Sequence, residues 1–244
     1  MSQMGFSDTT LPLDVTKYLR DTNPWWVGKP GRVLPRYRRW LFDLALKNLN
    51  KGLAPVLVLR GPRQVGKTTL QEQLVEHLLK EQGLQARRIL RVQFDDLPSL
   101  RGVSEPVLAI ARWFQAAILG ETFNEAAHRG EPAFVFLDEA QNLPDWAPQV
   151  KALVDHSTVK VLLTGSSSLR IMVGQDSLAG RITQFDMGPL LLREIAALRF
   201  EAEVPPLLSG DGLEALARQD FWAKMRAHGC RYQVPRDQAF AALS

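Results

Sequence analysis

GPRQVGKT, residues 61–68, is the most informative segment of this 244-residue chain because it carries the pattern GxxxxGK[ST]. Its glycines allow successive backbone N–H groups to turn inward, where they can surround phosphate oxygens. The lysine supplies a positive charge for the outer phosphates, and the following hydroxyl is a ligand that Mg²⁺ accepts. The predicted phosphate-binding residues are Gly61, Pro62, Arg63, Gln64, Val65, Gly66, Lys67, Thr68 and Thr69.

The sequence on either side of this loop has the required strand and helix patterns. Residues 55–59 form a short apolar run that is typical of a strand buried on both faces. Residues 69–80 place leucines on one side and charges on the other, which indicates an amphipathic helix. This order of strand, glycine-rich loop and helix supports the phosphate-binding interpretation.

The same alternation continues along the chain. Further strands are predicted at 89–94, 133–137, 159–164 and 182–187, and helices at 34–49, 107–118, 148–156 and 213–227. Strands joined by helices imply right-handed crossovers and a parallel sheet covered on both faces. We expect a three-layer α/β/α P-loop NTPase domain with a parallel five-stranded sheet at 34–200. An N-terminal arm at 1–33 precedes it, and a helical lid or the start of another domain follows at 201–244.

A second motif places two carboxylates at the end of the apolar run that precedes Asp138 and Glu139. Asp138 is expected to hold Mg²⁺ through water, together with Thr68, and Glu139 to position an attacking water. The order of the two acids favours hydrolysis over binding alone. Asp95 and Asp96 end another predicted strand, and we expect them in a solvated loop more than in the same crevice.

Two further candidates each keep two interpretations. Ser166 starts a serine cluster at the carboxyl end of a strand, where it either senses the outermost phosphate or caps a helix. Arg181 lies just before the last predicted strand and is either an arginine finger or a surface arginine with a local ion pair. The sequence does not decide whether such a finger acts within its own subunit or on a neighbour.

Composition and charge favour a cytoplasmic globular protein without a membrane partner. The chain has 45% hydrophobic residues, a net charge of +4 and a single cysteine, Cys230. Its longest apolar runs are too short to cross a membrane, and no N-terminal segment has the order of a signal peptide. The four histidines are scattered, so no zinc site is predicted.

Two basic groups and a tryptophan pair keep DNA open as a partner. We interpret the arginines first as solvated faces and second as nucleic-acid contacts. Trp25 and Trp26 are interpreted first as a hydrophobic anchor and second as a base-stacking platform. The two groups comprise Arg32, Arg36, Arg38 and Arg39, and Arg87, Arg88 and Arg91.

The motifs GPRQVGKTTL, FLDEAQNLPDW, LLTGSSS, LAGR and GPLLLREI together resemble the AAA-type ATPases of the AAA_14 family, over residues 39–200. Members of that family usually carry a DUF4143 domain after the ATPase domain and run well beyond the length of this chain. The resemblance implies an ASCE-type sheet, in which another strand separates the Walker A and Walker B strands. It also implies that Ser166 is the sensor and Arg181 the finger.

From these patterns we expect Mg²⁺-dependent ATP binding and hydrolysis, coupled to a conformational change or to remodelling of a partner. Lys67, Thr68, Asp138 and Glu139 form the expected working set. A nucleotide-dependent switch with little turnover and a DNA-handling motor or loader are the alternatives, and a small-molecule kinase is the competing enzyme class. A homo-oligomer and a protein client stay open.

Overall fold

The computed structural model describes residues 11–96, 98–166, 178–205 and 220–242. The chain separates into two compact units between Gly188 and Pro189.

The first unit alternates helices with strands. Its helices are α1 (Leu13–Thr22), α2 (Leu41–Lys51), α3 (Lys67–Lys80), α4 (Pro106–Phe114), α5 (Phe123–His128) and α6 (Trp146–His156). Its strands are β1 (Val56–Arg60), β2 (Ile89–Gln93), β3 (Ala133–Asp138), β4 (Val159–Gly165) and β5 (Ile182–Asp186). Short 3-10 turns link several of these elements, and a π-helical segment, Gln115–Leu119, continues α4.

The five strands form one parallel sheet in the order β2-β3-β4-β1-β5. β4 lies between β1, which leads into the glycine-rich loop, and β3, which ends at Asp138. Both the predicted five-stranded parallel sheet and the predicted separation of these two strands are therefore confirmed. The register pairs Arg60 with Gly165 and Gln93 with Asp138, so the carboxyl ends of these strands meet at one edge of the sheet.

Helices cover both faces of the sheet and create two hydrophobic cores. Alternate residues of β1 enter different cores, with Val56 and Val58 on one face and Leu57 and Leu59 on the other. The first core includes residues of α1, α4 and α6, and the second includes residues of α2 and α3. A strand with two buried faces has a continuous apolar sequence, which explains why the apolar run at residues 55–59 predicted β1.

The N-terminal segment covers the free edge of β2. Asn23 lies against Arg91, where its Oδ1 accepts from the backbone N–H at 2.7 Å and its Nδ2 donates to the carbonyl at 2.8 Å. Tyr18 extends the coverage, because its hydroxyl donates to the carbonyl of Gln93 at 3.3 Å. Side chains thus satisfy backbone groups that an edge strand would otherwise expose.

The tryptophan pair completes this edge. The indole N–H groups of Trp25 and Trp26 both donate to the carbonyl of Ile89, at 3.3 and 2.8 Å. The rings pack against different cores, Trp26 against the first and Trp25 against the second. The anchor interpretation is confirmed, and the segment predicted as an arm contains a helix, α1, that the sequence analysis did not identify.

Most predicted elements lie within two residues of the observed ones, and the corrections concern helices. The helix predicted at 34–49 begins only at Leu41. Pro35 disfavours helical geometry at Leu34, and the carbonyls of Pro35 and Tyr37 accept from Gln73 on α3, at 2.8 and 2.9 Å. The helix predicted at 107–118 ends as an α-helix at Phe114, and α5 lies where no helix was predicted.

The second unit contains α7 (Leu192–Phe200), α8 (Phe221–Arg231) and α9 (Gln233–Ala241). α7 and α9 share a small core of Ile195, Ala196 and Ala239. The second unit therefore includes α7 and begins at Pro189, twelve residues before the predicted start at 201. α8 overlaps the helix predicted at 213–227, whose first part, 213–219, lies outside the described residues. The lid role of this region stays a prediction. Across the described residues, no helix is both long and apolar enough to span a membrane.

Candidate active site

The loop between β1 and α3 depends on its two glycines. Gly66 has a φ of 93°, in the left-handed region that favours glycine, and Gln64 shares that region with a φ of 64°. At Gly61 a Cβ atom would lie 2.1 Å from the carbonyl oxygen of Met187, so only glycine fits against the backbone that follows β5. Glycine is therefore required at the two positions for different reasons: backbone conformation at Gly66 and close packing at Gly61.

The helix that follows the loop opens without a side-chain cap. Gly66 is the N-cap of α3, and no side chain of the described residues accepts a hydrogen bond there. The first N–H groups of the helix and its positive dipole end thus point at the loop, an arrangement that attracts an anion. The backbone fits a phosphate group.

Lys67 holds its ammonium inside the loop. Its Nζ donates to the carbonyls of Gly61 and Pro62, at 2.9 and 2.7 Å, and lies 4.0 Å from Oε1 of Glu139. Burial lowers the pKa of Lys67, and the nearby carboxylates of Glu139 and Asp138 act in the opposite direction. The charge therefore lies where phosphate oxygens would replace the loop carbonyls as partners.

Asp138 lies at the centre of the site and is 1% exposed. Thr68 Oγ1 donates to its Oδ2 at 2.9 Å, and Thr164 on β4 donates to its Oδ1. Arg91 on β2 places Nη2 3.6 Å from Oδ2. The pairing of Thr68 with Asp138 joins the two predicted magnesium ligands, whereas neither Thr164 nor Arg91 was predicted as a contact.

Glu139 and the loop border a cavity of about 630 Å³. Glu139 adopts a left-handed backbone with a φ of 54°, and its Oε2 accepts from Nε2 of Gln141. Asp95 is exposed, as predicted, yet it also faces the cavity and accepts from Asn142. The side chain of Asp96 lies outside the described residues. The cavity is lined by Arg63, Gln64, Gly66, Lys67, Thr68, Thr69, Asp95 and Glu139.

Ser166 lies beside the loop. It follows Gly165, whose carbonyl accepts from the N–H of Gly61 at 3.3 Å. The end of β4 is therefore tied to the start of the loop, which supports a place for Ser166 near the phosphates. The other serines of the cluster, at 167 and 168, lie outside the described residues.

Arg181 lies at the opposite edge of the sheet. Its carbonyl accepts from the N–H of Val56 at 3.1 Å, at the amino ends of β1 and β5. Its guanidinium forms an ion pair with Asp155, with Nη2 3.1 Å from Oδ2, and this contact lowers the pKa of Asp155. The five residues of β5 separate it from the loop by about 16 Å along the strand, so Arg181 does not reach the phosphate site of its own chain.

Most arginines of the two basic groups make contacts within the protein. Arg32 pairs with Glu72, Arg38 with Glu81, and Arg88 with Glu131. Arg39 donates to the carbonyls of Val65 and Gly188, at 2.7 and 3.0 Å. These internal contacts weaken the charge argument for a nucleic-acid surface, just as the anchored tryptophans weaken the stacking argument.

A family model agrees with this geometry. The AAA_14 model, described as an AAA domain, matches residues 54–196, which is more than half of the chain. The matched region contains the glycine-rich loop, Asp138 and Glu139.

Similar proteins are found in bacteria and archaea. The uncharacterized protein Rv2008c of Mycobacterium tuberculosis and Mb2031c of Mycobacterium bovis are each 29% identical over 147 residues, covering 59% of this chain and 27% of the relative. The uncharacterized protein MJ1637 of Methanocaldococcus jannaschii is 25% identical over 189 residues, covering 74% of this chain and 37% of the relative. The chain thus spans well under two thirds of the length of these relatives.

Two solved structures match this chain at low sequence identity. The Hsp104-ADP complex of S. cerevisiae has a TM-score of 0.49 and 17% identity, covering 72% of this chain and 25% of that chain. The Walker-type ATPase PABY2304 of Pyrococcus abyssi has a TM-score of 0.48 and 18% identity, covering 88% of this chain and 77% of that chain.

Proposed function

This chain belongs to the AAA_14 family of AAA domains, and from that premise we propose that it binds ATP with Mg²⁺ and hydrolyses it. We propose further that hydrolysis drives a conformational change in the chain or remodels a partner. One observation carries the proposal: Thr68 lies 2.9 Å from Asp138, and Lys67 lies 4.0 Å from Glu139, at the same edge of the sheet. Ligands of open α/β sheets bind at that edge.

The phosphates would lie against the loop and the start of α3. There the uncapped N–H groups and the ammonium of Lys67 supply positive charge. Thr68 and Asp138 offer Mg²⁺ a hydroxyl and a carboxylate oxygen, and bound Mg²⁺ would neutralise charge on the phosphates.

Glu139 is the proposed base for the attacking water. It lines the cavity next to Asp138 and directs one carboxylate oxygen towards Lys67. A carboxylate in this place can accept a proton from water as the water attacks. Its presence favours turnover over a binding-only switch.

We retain a sensor role for Ser166, and for Arg181 a finger role that is limited to a neighbouring subunit. Ser166 would sense the outermost phosphate from the end of β4. Arg181 would act only on the site of a neighbouring subunit, because its own site lies at the other end of β5. A finger in trans requires a homo-oligomer, and both are part of the proposal, as is action in the cytoplasm.

The first test measures phosphate release from Mg-ATP together with nucleotide binding. Lys67→Ala should abolish both, because the phosphates lose their main charged partner. Glu139→Gln should lower turnover by about a hundredfold while binding stays, since a positioned base contributes roughly that much. Lys80→Ala, at the far end of α3 with its ammonium in solvent, is the matched control for the lysine and should behave as the parent.

The possible outcomes separate the competing functions. Tight ATP binding without turnover in the parent would support a regulatory switch and contradict the ATPase. Phosphate that appears on an added acceptor, and not in solution, would indicate a kinase. Binding to single-stranded DNA that weakens steeply with salt would support a DNA-handling role.

A further inference from the structure

The turn that follows Asp138 places an amide against the proposed base. Gln141 lies in the 3-10 turn Ala140–Asn142, and its Nε2 donates to Oε2 of Glu139. A carboxylate only accepts hydrogen bonds, so the nitrogen of the amide has to face Glu139. The other oxygen of Glu139, Oε1, lies 4.0 Å from Nζ of Lys67, and both residues line the cavity.

The surroundings of Gln141 indicate that this contact decides its orientation. Gln141 is 7% exposed, and its Oε1 is a buried oxygen that finds no hydrogen-bond partner among the described residues. Buried polar atoms in proteins are nearly always paired, and exceptions concentrate where function requires them. Among the described residues, the contact with Glu139 is therefore the one that fixes which way the amide of Gln141 points.

The backbone of Glu139 makes such a hold necessary. Its φ of 54° and ψ of 39° are costly for a residue that has a Cβ, so surrounding contacts have to maintain the conformation. Asn142, which follows Gln141, makes a similar contact: its side-chain amide donates to Asp95, another carboxylate that lines the cavity. One short turn therefore fixes two carboxylates of the cavity.

We infer that Gln141 is a positioning residue that holds the Glu139 carboxylate by one oxygen and leaves the other free for the attacking water. The inference rests on the proposed ATPase function. Gln141 acts through Glu139 and has no role of its own in nucleotide binding.

Gln141→Met tests this inference because it keeps the length of the side chain and removes the donor. We expect kcat to fall about tenfold, since a base that is free to move spends less time in the productive geometry. The dissociation constant of ATP should stay within about twofold of the parent, because ground-state binding is untouched. Gln149→Met is the matched control: Gln149 is also 7% exposed, but its Oε1 accepts from the N–H of Val107 at 2.9 Å, and kcat should not change.

A double variant separates a positioning role from a merely structural one. On the Glu139→Gln background, Gln141→Met should cause no further loss of kcat, because the group through which it acts has been removed. A further tenfold loss on that background, or parental kcat in the single variant, would overturn the inference.

An NMR measurement on the nucleotide-free protein keeps the inference testable even if the parent shows no turnover. The side-chain amide signal of Gln141, assigned by its absence in Gln141→Met, should shift and exchange faster in Glu139→Ala. An amide signal whose chemical shift and exchange rate are the same in Glu139→Ala would refute the contact between Gln141 and Glu139. Lack of turnover with this NMR response would contradict the proposed function and leave the hold of Gln141 on Glu139 supported.

Discussion

At the scale of single residues, the site depends on close approaches as much as on charges. Gly61 accepts no side chain because the carbonyl of Met187 occupies the space where a Cβ would lie. The motif requires a glycine there so that backbone N–H groups can turn towards the phosphate oxygens. The structure adds that this glycine also lets the loop pass the end of β5, so one residue serves both binding and packing.

Gly61→Ala is expected to destabilise the protein. The added methyl would lie 2.1 Å from a backbone oxygen, which has to move, and overpacking of this kind costs about 2 kcal/mol. The melting temperature should fall by roughly 4 to 8 °C. Gly31→Ala is the control, because a Cβ there meets nothing within 4 Å, and its melting temperature should equal that of the parent. Equal melting temperatures for the two variants would contradict the close packing at Gly61.

At the scale of elements, the edge strand β2 is completed by side chains and not by another strand. Its residues 89, 91 and 93 direct backbone groups outward, and the N-terminal segment bonds to each of them. Edge strands left open invite pairing with other chains. The side chains of the N-terminal segment therefore cover the edge of the sheet and stabilise β2, from which Arg91 extends to Asp138.

Asn23→Ala should reveal the strength of this edge. It would leave the N–H and the carbonyl of Arg91 without partners in a buried place, at a cost of about 2 to 3 kcal/mol in the free energy of unfolding. Asn48→Ala removes only an exposed hydrogen bond to the carbonyl of Leu44 and should change stability by less than about 0.5 kcal/mol. Urea unfolding measures both, and similar losses in the two variants would argue against a stabilised edge.

At the scale of the whole molecule, the first unit contains the complete sheet, both large cores and the candidate site. The second unit has a small core of its own, around Ile195, Ala196 and Ala239. We therefore expect folding and nucleotide binding to need only residues up to Gly188.

A chain that ends at Gly188 should fold and bind ATP with the parental affinity. A chain that ends at Gly180 is the control: it lacks β5, leaves one edge of β1 unpaired and should fail to unfold cooperatively. Circular dichroism during heating and a nucleotide-binding assay compare the two. Failure of the longer chain to fold would show that the second unit supports the first.

Three features could be predicted from the amino-acid sequence alone: the glycine-rich loop, the alternation of strands and helices, and the acidic pair at positions 138 and 139. These features are encoded locally, because buried parallel strands read as apolar runs and a phosphate loop needs glycines at fixed spacing. From them followed the parallel sheet, its two covered faces and the edge at which Lys67, Thr68, Asp138 and Glu139 lie.

The contacts between residues far apart in the chain could not be predicted from the sequence and follow from the packing of the elements. The contacts of Thr164 and Arg91 with Asp138 depend on the order and register of strands, and the contacts of Asn23 with β2 join residues 68 positions apart. The same strand direction sets Arg181 at the far edge, paired with Asp155. Periodicity describes which face of an element is apolar, whereas the partner across that face is fixed by packing between segments far apart in the chain.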